Sequence, residues 1–395
     1  MAKDIRLPSD ARFSCQSCGR CCQGWTITVD QQTVERLREH DWGCDPFERT
    51  RAAADGYRIK MIDGRCFFLQ DDLRCRIHGE LGYDAKPAGC KSFPLRVTEF
   101  DGATFGRLSY YCPTVSNGKG KPLRDQLRWV RAVAKSAGEI RRSRELTLDG
   151  ERKLDKRAAG SALSTLESLL GDRNLRLVDR LAAAAGFLRA LHQSEDDPID
   201  ARLVQQTAGR SFDTLKALGH QDAKASHAGP LFALYLGQDS DPSKLSRAAR
   251  FFSVRAANWG LIALRSRFIG TAARWSTLRK IQLAPEASDA MLTQYLQNKL
   301  TTRRIVANDA TLQSGFNQLV AAYAIAIVLA RLAAHAAGRS QTDDQDLRRG
   351  IEGADLLVLE HSAIDQGRVA GLLRETLLAN NRLFAAIAAR LALVD

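Results

Sequence analysis

All nine cysteines of this 395-residue chain fall before residue 113, and four of them crowd into Cys15-Gln16-Ser17-Cys18-Gly19-Arg20-Cys21-Cys22. The others are Cys44, Cys66, Cys75, Cys90 and Cys112. A chain that used cysteine only as a small hydrophobe would scatter it through its cores. Confinement to one segment makes the thiols a working set, held together by disulfides or by metal. The first ten residues alternate charge and contain no apolar run, so no secretory signal is expected and the protein is placed in the cytoplasm. In that reducing compartment clustered cysteines are more often metal ligands or catalytic groups than a disulfide framework. An odd total also fits complete pairing poorly.

The segment around the thiols reads as turn-rich and irregular. Trp25–Val29 is rich in strand formers, and Asp30 can cap a short helix over 31–40. Tyr57–Ile62 and Arg65–Leu69 flank Asp63-Gly64, which predicts a hairpin that delivers Cys66. Cys75 follows the polar turn Gln70-Asp71-Asp72, and a second hairpin over Leu95–Ser109 turns at Asp101-Gly102. Periodic apolar sequence is scarce, the situation in which a metal contributes folding energy.

From Pro122 the pattern becomes helical. Leu123, Leu127, Val130, Ala134 and Ala137 form one apolar stripe, flanked by a basic stripe of Arg124, Arg128, Arg131, Lys135 and Arg142. Arg141 to Gly160 reads as a linker. Helices are expected over 177–191, Leu245–Phe268, Met291–His335 and Val369–Leu391, with no strand pair after residue 113. The longest apolar run, Leu319–Ala330, ends at Arg331 and is too short for a membrane span of roughly 18 residues or more, so it is expected to be a buried helix. The fold class is therefore α+β: a cysteine-rich domain over 1–120, then a large all-α domain over 121–395.

Charge is unevenly placed. Residues 1–120 carry 18 basic and 16 acidic side chains, and the remainder carries 40 and 29. A basic second half favours an acidic partner surface or nucleic acid. With no aromatic platform or zinc-finger helix beside it, the basic stripe reads as the solvated flank of an amphipathic helix, and nucleic-acid binding is not expected.

Eight thiols are candidate metal ligands: Cys15, Cys18, Cys21, Cys22, Cys66, Cys75, Cys90 and Cys112. Cys15-x2-Cys18-x2-Cys21 and the distant Cys112-Pro113 have the spacing of iron–sulfur ligands, and sets of four thiolates also suit structural zinc. Eight are enough for one cluster plus one zinc, for two centres of either kind, or for one centre and a redox pair. Consecutive side chains diverge, so Cys21 and Cys22 are expected to serve different centres, or one a centre and the other a second role. Cys44 lies outside every spacing pattern and reads as an ordinary thiol. His78 could replace a thiolate but reads as a surface histidine.

Cys15-x2-Cys18-Gly19-x-Cys21-Cys22, Cys66-Phe67-Phe68-Leu69, Cys75-Arg76-Ile77-His78 and Lys86-Pro87-x2-Cys90-Lys91-x-Phe93-Pro94 together resemble the CxxCxxCC family of zinc- or iron-chelating proteins. Ile77-His78-Gly79-Glu80-Leu81-Gly82 resembles its flagellin lysine-N-methylase branch, and Tyr295–Leu300 with the helix after it is similar to the C-terminal half of those methylases. Phe93-Pro94-Leu95 departs from the Tyr-Pro-Arg those methylases tend to carry. The resemblance implies methyl transfer from S-adenosylmethionine to lysines of a protein substrate such as flagellin, with an iron–sulfur centre on the N-terminal module. The alternative is a non-enzymatic protein that carries, senses or is stabilised by iron or zinc. The residues add little: no Gly-x-Gly-x-x-Gly loop follows a strand, Gly118–Lys121 reads as a linker, and the Cys-x3-Cys-x2-Cys spacing of radical enzymes is absent. A lysine must be neutral to attack a methyl group, and Asp71, Asp72, Tyr110 and Tyr111 are the nominees for its proton acceptor.

Overall fold

The computed structural model describes residues 4–23, 27–50, 56–136, 145–196, 198–221, 229–237, 252, 255, 256, 261, 263–359 and 376–391. The chain divides into two compact units. One comprises Ile5–Val97 and Gly106–Ile140, the other Met1–Asp4, Thr98–Phe105 and Arg141–Asp395. The architecture is α+β, with small sheets in the N-terminal region and mostly helices beyond.

The cysteine-bearing unit is assembled from short pieces. Strands β1 (Ile5–Arg6) and β2 (Arg12–Phe13) precede the first thiols, and β3 (Thr28–Val29) leads into helix α1 (Gln31–Arg38). The Asp30 carboxylate accepts the Thr33 N–H at 2.8 Å, the cap its sequence called for. Strands β4 (Phe47–Arg49) and β5 (Tyr57–Ile59) complete a three-stranded antiparallel sheet in the order β3-β5-β4. Strands β6 (Met61–Ile62) and β7 (Arg65–Cys66) pair across Asp63-Gly64, which places Met61 opposite Cys66. Helices α2 (Arg76–Leu81) and α3 (Ala88–Ser92) follow, then the hairpin β8 (Leu95–Phe100) and β9 (Ala103–Leu108), as the Asp101-Gly102 turn predicts.

Helix α4 (Pro113–Ser116), strand β10 (Lys121–Pro122) and helix α5 (Leu127–Ser136) close the unit. Strand β10 pairs with β2, so α5, expected to open the helical half, packs here instead. A 3₁₀ turn over Leu123–Gln126 precedes α5 and advances the apolar phase. Leu123, Val130 and Val133 are buried as a result, whereas Leu127 is exposed. Arg124, Arg128, Arg131 and Lys135 face solvent as the expected flank; Ala137 and Arg142 lie outside the described residues.

Two small cores support this unit. One gathers Val34, Leu37, Trp42, Phe47, Ile59, Phe68 and Ile77, with Cys66 and Cys75 packed against it. The other gathers Leu95, Leu108, Cys112, Val115, Leu123, Val130 and Val133, with Phe13, Phe93 and Trp129 against it.

In the second unit the helix Leu312–Ala336 is the spine. By length and composition it could cross a membrane, but 89% of its apolar window is buried, the property of a core helix. The helices Leu177–His192 and Phe212–His220 cross so closely that a Cβ added at Gly186 would overlap the Leu215 carbonyl, and one at Gly219 the Ala182 carbonyl.

Three expectations are corrected. Strands Leu264–Ser266 and Thr271–Ala273 form an antiparallel pair where the helix Leu245–Phe268 was to end; most of that helix lies outside the described residues. Alternation of buried Leu264 and Ser266 with exposed Arg265 has the period of a strand. The linker stops short of Gly160, because Asp155 caps a helix that begins at Lys156. The C-terminal helix is interrupted: the Asn317 amide donates to the carbonyls of Leu378 and Asn380, which satisfies the groups a break exposes before Leu383–Leu391 resumes. Its first part, 369–375, lies outside the described residues.

Candidate metal centre

Four local devices bring the thiols together. The first is the loop Cys15–Cys22, where Ser17 (φ 51°) and Gly19 (φ 68°) take left-handed backbone and fold the chain into a 3₁₀ turn over Arg20–Cys22. The Cys22 N–H donates to the Gly19 carbonyl at 3.0 Å, and the buried Tyr111 hydroxyl donates to the Gln23 carbonyl at 3.2 Å. The second is the β6–β7 hairpin, which carries Cys66. From it the chain makes a tight excursion: Gln70 N–H to the Arg74 carbonyl and Arg76 N–H to the Phe68 carbonyl return Cys75 beside Leu69, at the start of α2. The third is α3, which holds Cys90. The fourth is the start of α4, where the Cys112 carbonyl accepts the N–H groups of Val115 and Ser116.

These devices line two cavities. An inner one of about 40 Å³ has Cys21, Cys22, Cys66, Cys75 and Cys90 in its wall, among Ile27, Ile59, Phe68, Ile77 and Phe93. An outer one of about 800 Å³ is lined by Cys15, Cys18, Cys21, Cys22, Cys75, Cys90 and Cys112, with His78, Tyr83, Gln126 and Trp129. Lys86 reaches both. Cys21 and Cys22 do not diverge: the tight 3₁₀ turn holds their sulfurs 3.9 Å apart.

Electrostatics match this placement. The Cys22 sulfur beside it, and then burial, push the Cys21 thiol above the ordinary thiol range. Burial pushes Cys66 and Cys112 up to about 11 and Cys90 up to about 12. Burial works against the charge on Lys86, yet Cys75, Cys90, Cys21 and Cys22 outweigh it and hold the ammonium protonated. Among the described residues no three His, Cys, Asp or Glu side chains already stand as a metal-ligating group. The donor set itself, eight soft thiols around two cavities with the half-buried Lys86 ammonium to offset thiolate charge, fits zinc or iron. Loading would have to deprotonate these thiols and draw them inward.

All eight candidate thiols line the cavities. Cys44 is exposed and lines neither. His78 lines the outer cavity, edge-on to Tyr83 at 5.8 Å. Of the four proposed proton acceptors, only Asp72 is in that lining; Asp71 points outward to Arg65. Tyr111 is spent on the Gln23 carbonyl, and Tyr110 packs on the second core. Sequence reasoning missed Trp129, which stacks on Phe13 at 5.5 Å and donates its N–H to the Lys91 carbonyl. The available signal was a lone tryptophan interrupting the basic flank of α5. It also passed over Lys86, readable only as part of a Lys-Pro pair.

The model of the CxxCxxCC family, described as "Putative zinc- or iron-chelating domain", matches residues 14–113. The likeness at Tyr295–Leu300 lies outside that match. An uncharacterised protein of Methanocaldococcus jannaschii is 31% identical over 110 residues, 27% of this chain and 38% of that protein. Lysine-N-methylase of Salmonella typhimurium is 30% identical over 130 residues, 29% of this chain and 32% of that protein. Flagellar biosynthetic protein FliU of Salmonella muenchen is 30% identical over 133 residues, 29% of this chain and 77% of that protein. The chain thus spans only about a third of the first two relatives. No solved structure matches.

Proposed function

The chain belongs to the CxxCxxCC family of cysteine-cluster proteins, and from that premise we propose that it is a metal-dependent protein lysine N-methyltransferase that uses S-adenosylmethionine. The observation that carries this reading is the similarity to Lysine-N-methylase and FliU. The outer cavity of about 800 Å³ supports it, having room for a nucleoside-sized cofactor beside the thiols. Flagellin is the proposed substrate and the cytoplasm the proposed site of action.

The eight thiols would hold the metal, with an iron–sulfur cluster favoured over zinc. When bound, such a cluster would supply an electron-accepting centre to the site. The remaining work falls to the chain's own residues. Trp129, braced by Phe13, offers a flat face for adenine or for the sulfonium cation. Lys86 repels a second cation, which leaves the tryptophan side as the place for the sulfonium. Transfer forms the bond from lysine nitrogen to methyl carbon and breaks the carbon–sulfur bond, whose electron pair stays on sulfur. The proton of the amine goes to Asp72 or to solvent.

The test is calorimetric titration of the metal-loaded full chain with S-adenosylmethionine, followed by mass analysis of flagellin lysines. Micromolar binding, weakened about tenfold by Trp129→Ala, is expected. A protein that fails to bind S-adenosylmethionine sinks the proposal. The inner cavity favours a second reading, in which the metal carries out no reaction and serves structure or sensing: at about 40 Å³ within apolar walls it admits no substrate. That reading requires no cofactor binding, and unfolding of the cysteine-bearing unit when metal is withdrawn.

A further inference from the structure

We infer that the thiols divide into two four-cysteine centres, an inner one of Cys21, Cys66, Cys75 and Cys90 and an outer one of Cys15, Cys18, Cys22 and Cys112. This rests on the metal-chelating reading of the family and specifies which thiol serves which centre.

Cavity lining fixes four of the eight thiols, while Cys21, Cys22, Cys75 and Cys90 stand in the walls of both cavities. Cys66 lines only the inner cavity, whereas Cys15, Cys18 and Cys112 line only the outer one. The packing separates them again: Cys66 and Cys75 lie against one small core of the unit, Cys112 within the other. Cys66 is within electrostatic reach of Cys75 and Cys21, and Cys90 within reach of Cys66, Cys75 and Cys21. On the other side, Cys112 is within reach of Cys18. Cys22 lines both cavities; with Cys21, Cys75 and Cys90 grouped with Cys66, it is left as the fourth outer ligand.

Donor number allows two full centres. A zinc ion takes four ligands and an iron–sulfur cluster of this type takes four cysteines, so eight thiols exceed what one centre can use. The inner set is shut in by Ile59, Phe68 and Ile77 and belongs to structure. The outer set opens on the large cavity and is the one positioned for chemistry.

Cobalt(II) added to the reduced, metal-free full chain reads this directly, through its thiolate charge-transfer absorption and native mass. Two metals per chain are expected. Cys66→Ser and Cys75→Ser should each lose one metal and retain the other; Cys15→Ser and Cys18→Ser should lose the complementary one. Circular dichroism identifies any variant that has merely unfolded, and the paired substitutions provide a second reading for each set. A wild type that binds one metal, or inner and outer variants that each lose both while folded, overturns the division. A wild type that binds no metal overturns the metal-chelating reading beneath it.

Discussion

Cys21 and Cys22 hold their sulfurs 3.9 Å apart although they are neighbours in the chain. The 3₁₀ turn over Arg20–Cys22 makes this possible, with its N-terminal end set by left-handed Gly19. Cys21 also acts on both Cys66 and Cys90. Replacing it should therefore remove metal, whereas Cys44, exposed and outside both cavities, should be dispensable. Metal analysis is expected to show a loss of about half the bound metal for Cys21→Ser, one of the two four-thiol centres, and none for Cys44→Ser. Equal loss in both variants would contradict the lining.

Acid and base should act in opposite directions on the metal-free and loaded forms. Burial keeps Cys66 and Cys112 neutral up to about 11 and Cys90 up to about 12. In an unfolded chain a thiol ionises near ~8.5. Between those values the unfolded chain has released its protons while the folded one retains them, so stability falls as pH rises. This contribution is intact below pH ~8.5 and is lost through the folded-state values. Metal binding displaces the same protons, so cobalt affinity should rise with pH and acid should strip the ion. Thermal melts in chelator and cobalt titrations across that window check both slopes. A metal-free melting point indifferent to pH from 9 to 11 would show that these thiols are not held neutral.

The legible parts of this molecule are those whose signals are local. Asp30 announces its helix, Asp63-Gly64 its hairpin, and the order of the thiols the set that lines the cavities. What escaped reading depends on distant partners. The phase of α5 is set by the 3₁₀ turn before it, which buries Val133 and exposes Leu127 against the spacing of the apolar stripe. Trp129 faces the cavity because β10 pairs with β2 and carries α5 back to Phe13, a pairing of residues more than a hundred apart. The break near Asn380 depends on Asn317, which no local pattern reveals.

Glycine at the helix crossing should be tested against glycine elsewhere. Alanine ordinarily favours a helix interior over glycine by up to ~1 kcal/mol. At Gly219 the added Cβ would overlap the Ala182 carbonyl, a backbone atom that cannot rotate away. Gly219→Ala should therefore destabilise by about 2 kcal/mol, within the usual range for overpacking. Gly160 is exposed in the helix Lys156–Gly171 with nothing within 4 Å of an added Cβ. Gly160→Ala should stabilise by up to ~1 kcal/mol. Urea unfolding of both variants measures the difference, and a neutral Gly219→Ala would show that the helices can part.

Lys299 and Asp355 form a fully buried ion pair in the helical unit, with Nζ 2.8 Å from Oδ1. The Tyr295 hydroxyl donates to the same carboxylate oxygen at 3.2 Å. Tyr295 and Lys299 sit one turn apart on the helix Pro285–Thr301, so one carboxylate ties that helix to the turn beginning at Asp355. Removing one charge would strand the other away from water, a loss of about 3–5 kcal/mol. Replacing both with apolar side chains removes that stranded charge. Lys299→Met and Asp355→Leu should each destabilise strongly, and the double variant should cost less than the sum of the two. Denaturant titration of all four proteins measures the coupling. A Lys299→Met variant as stable as the wild type would show that the pair contributes nothing to the fold.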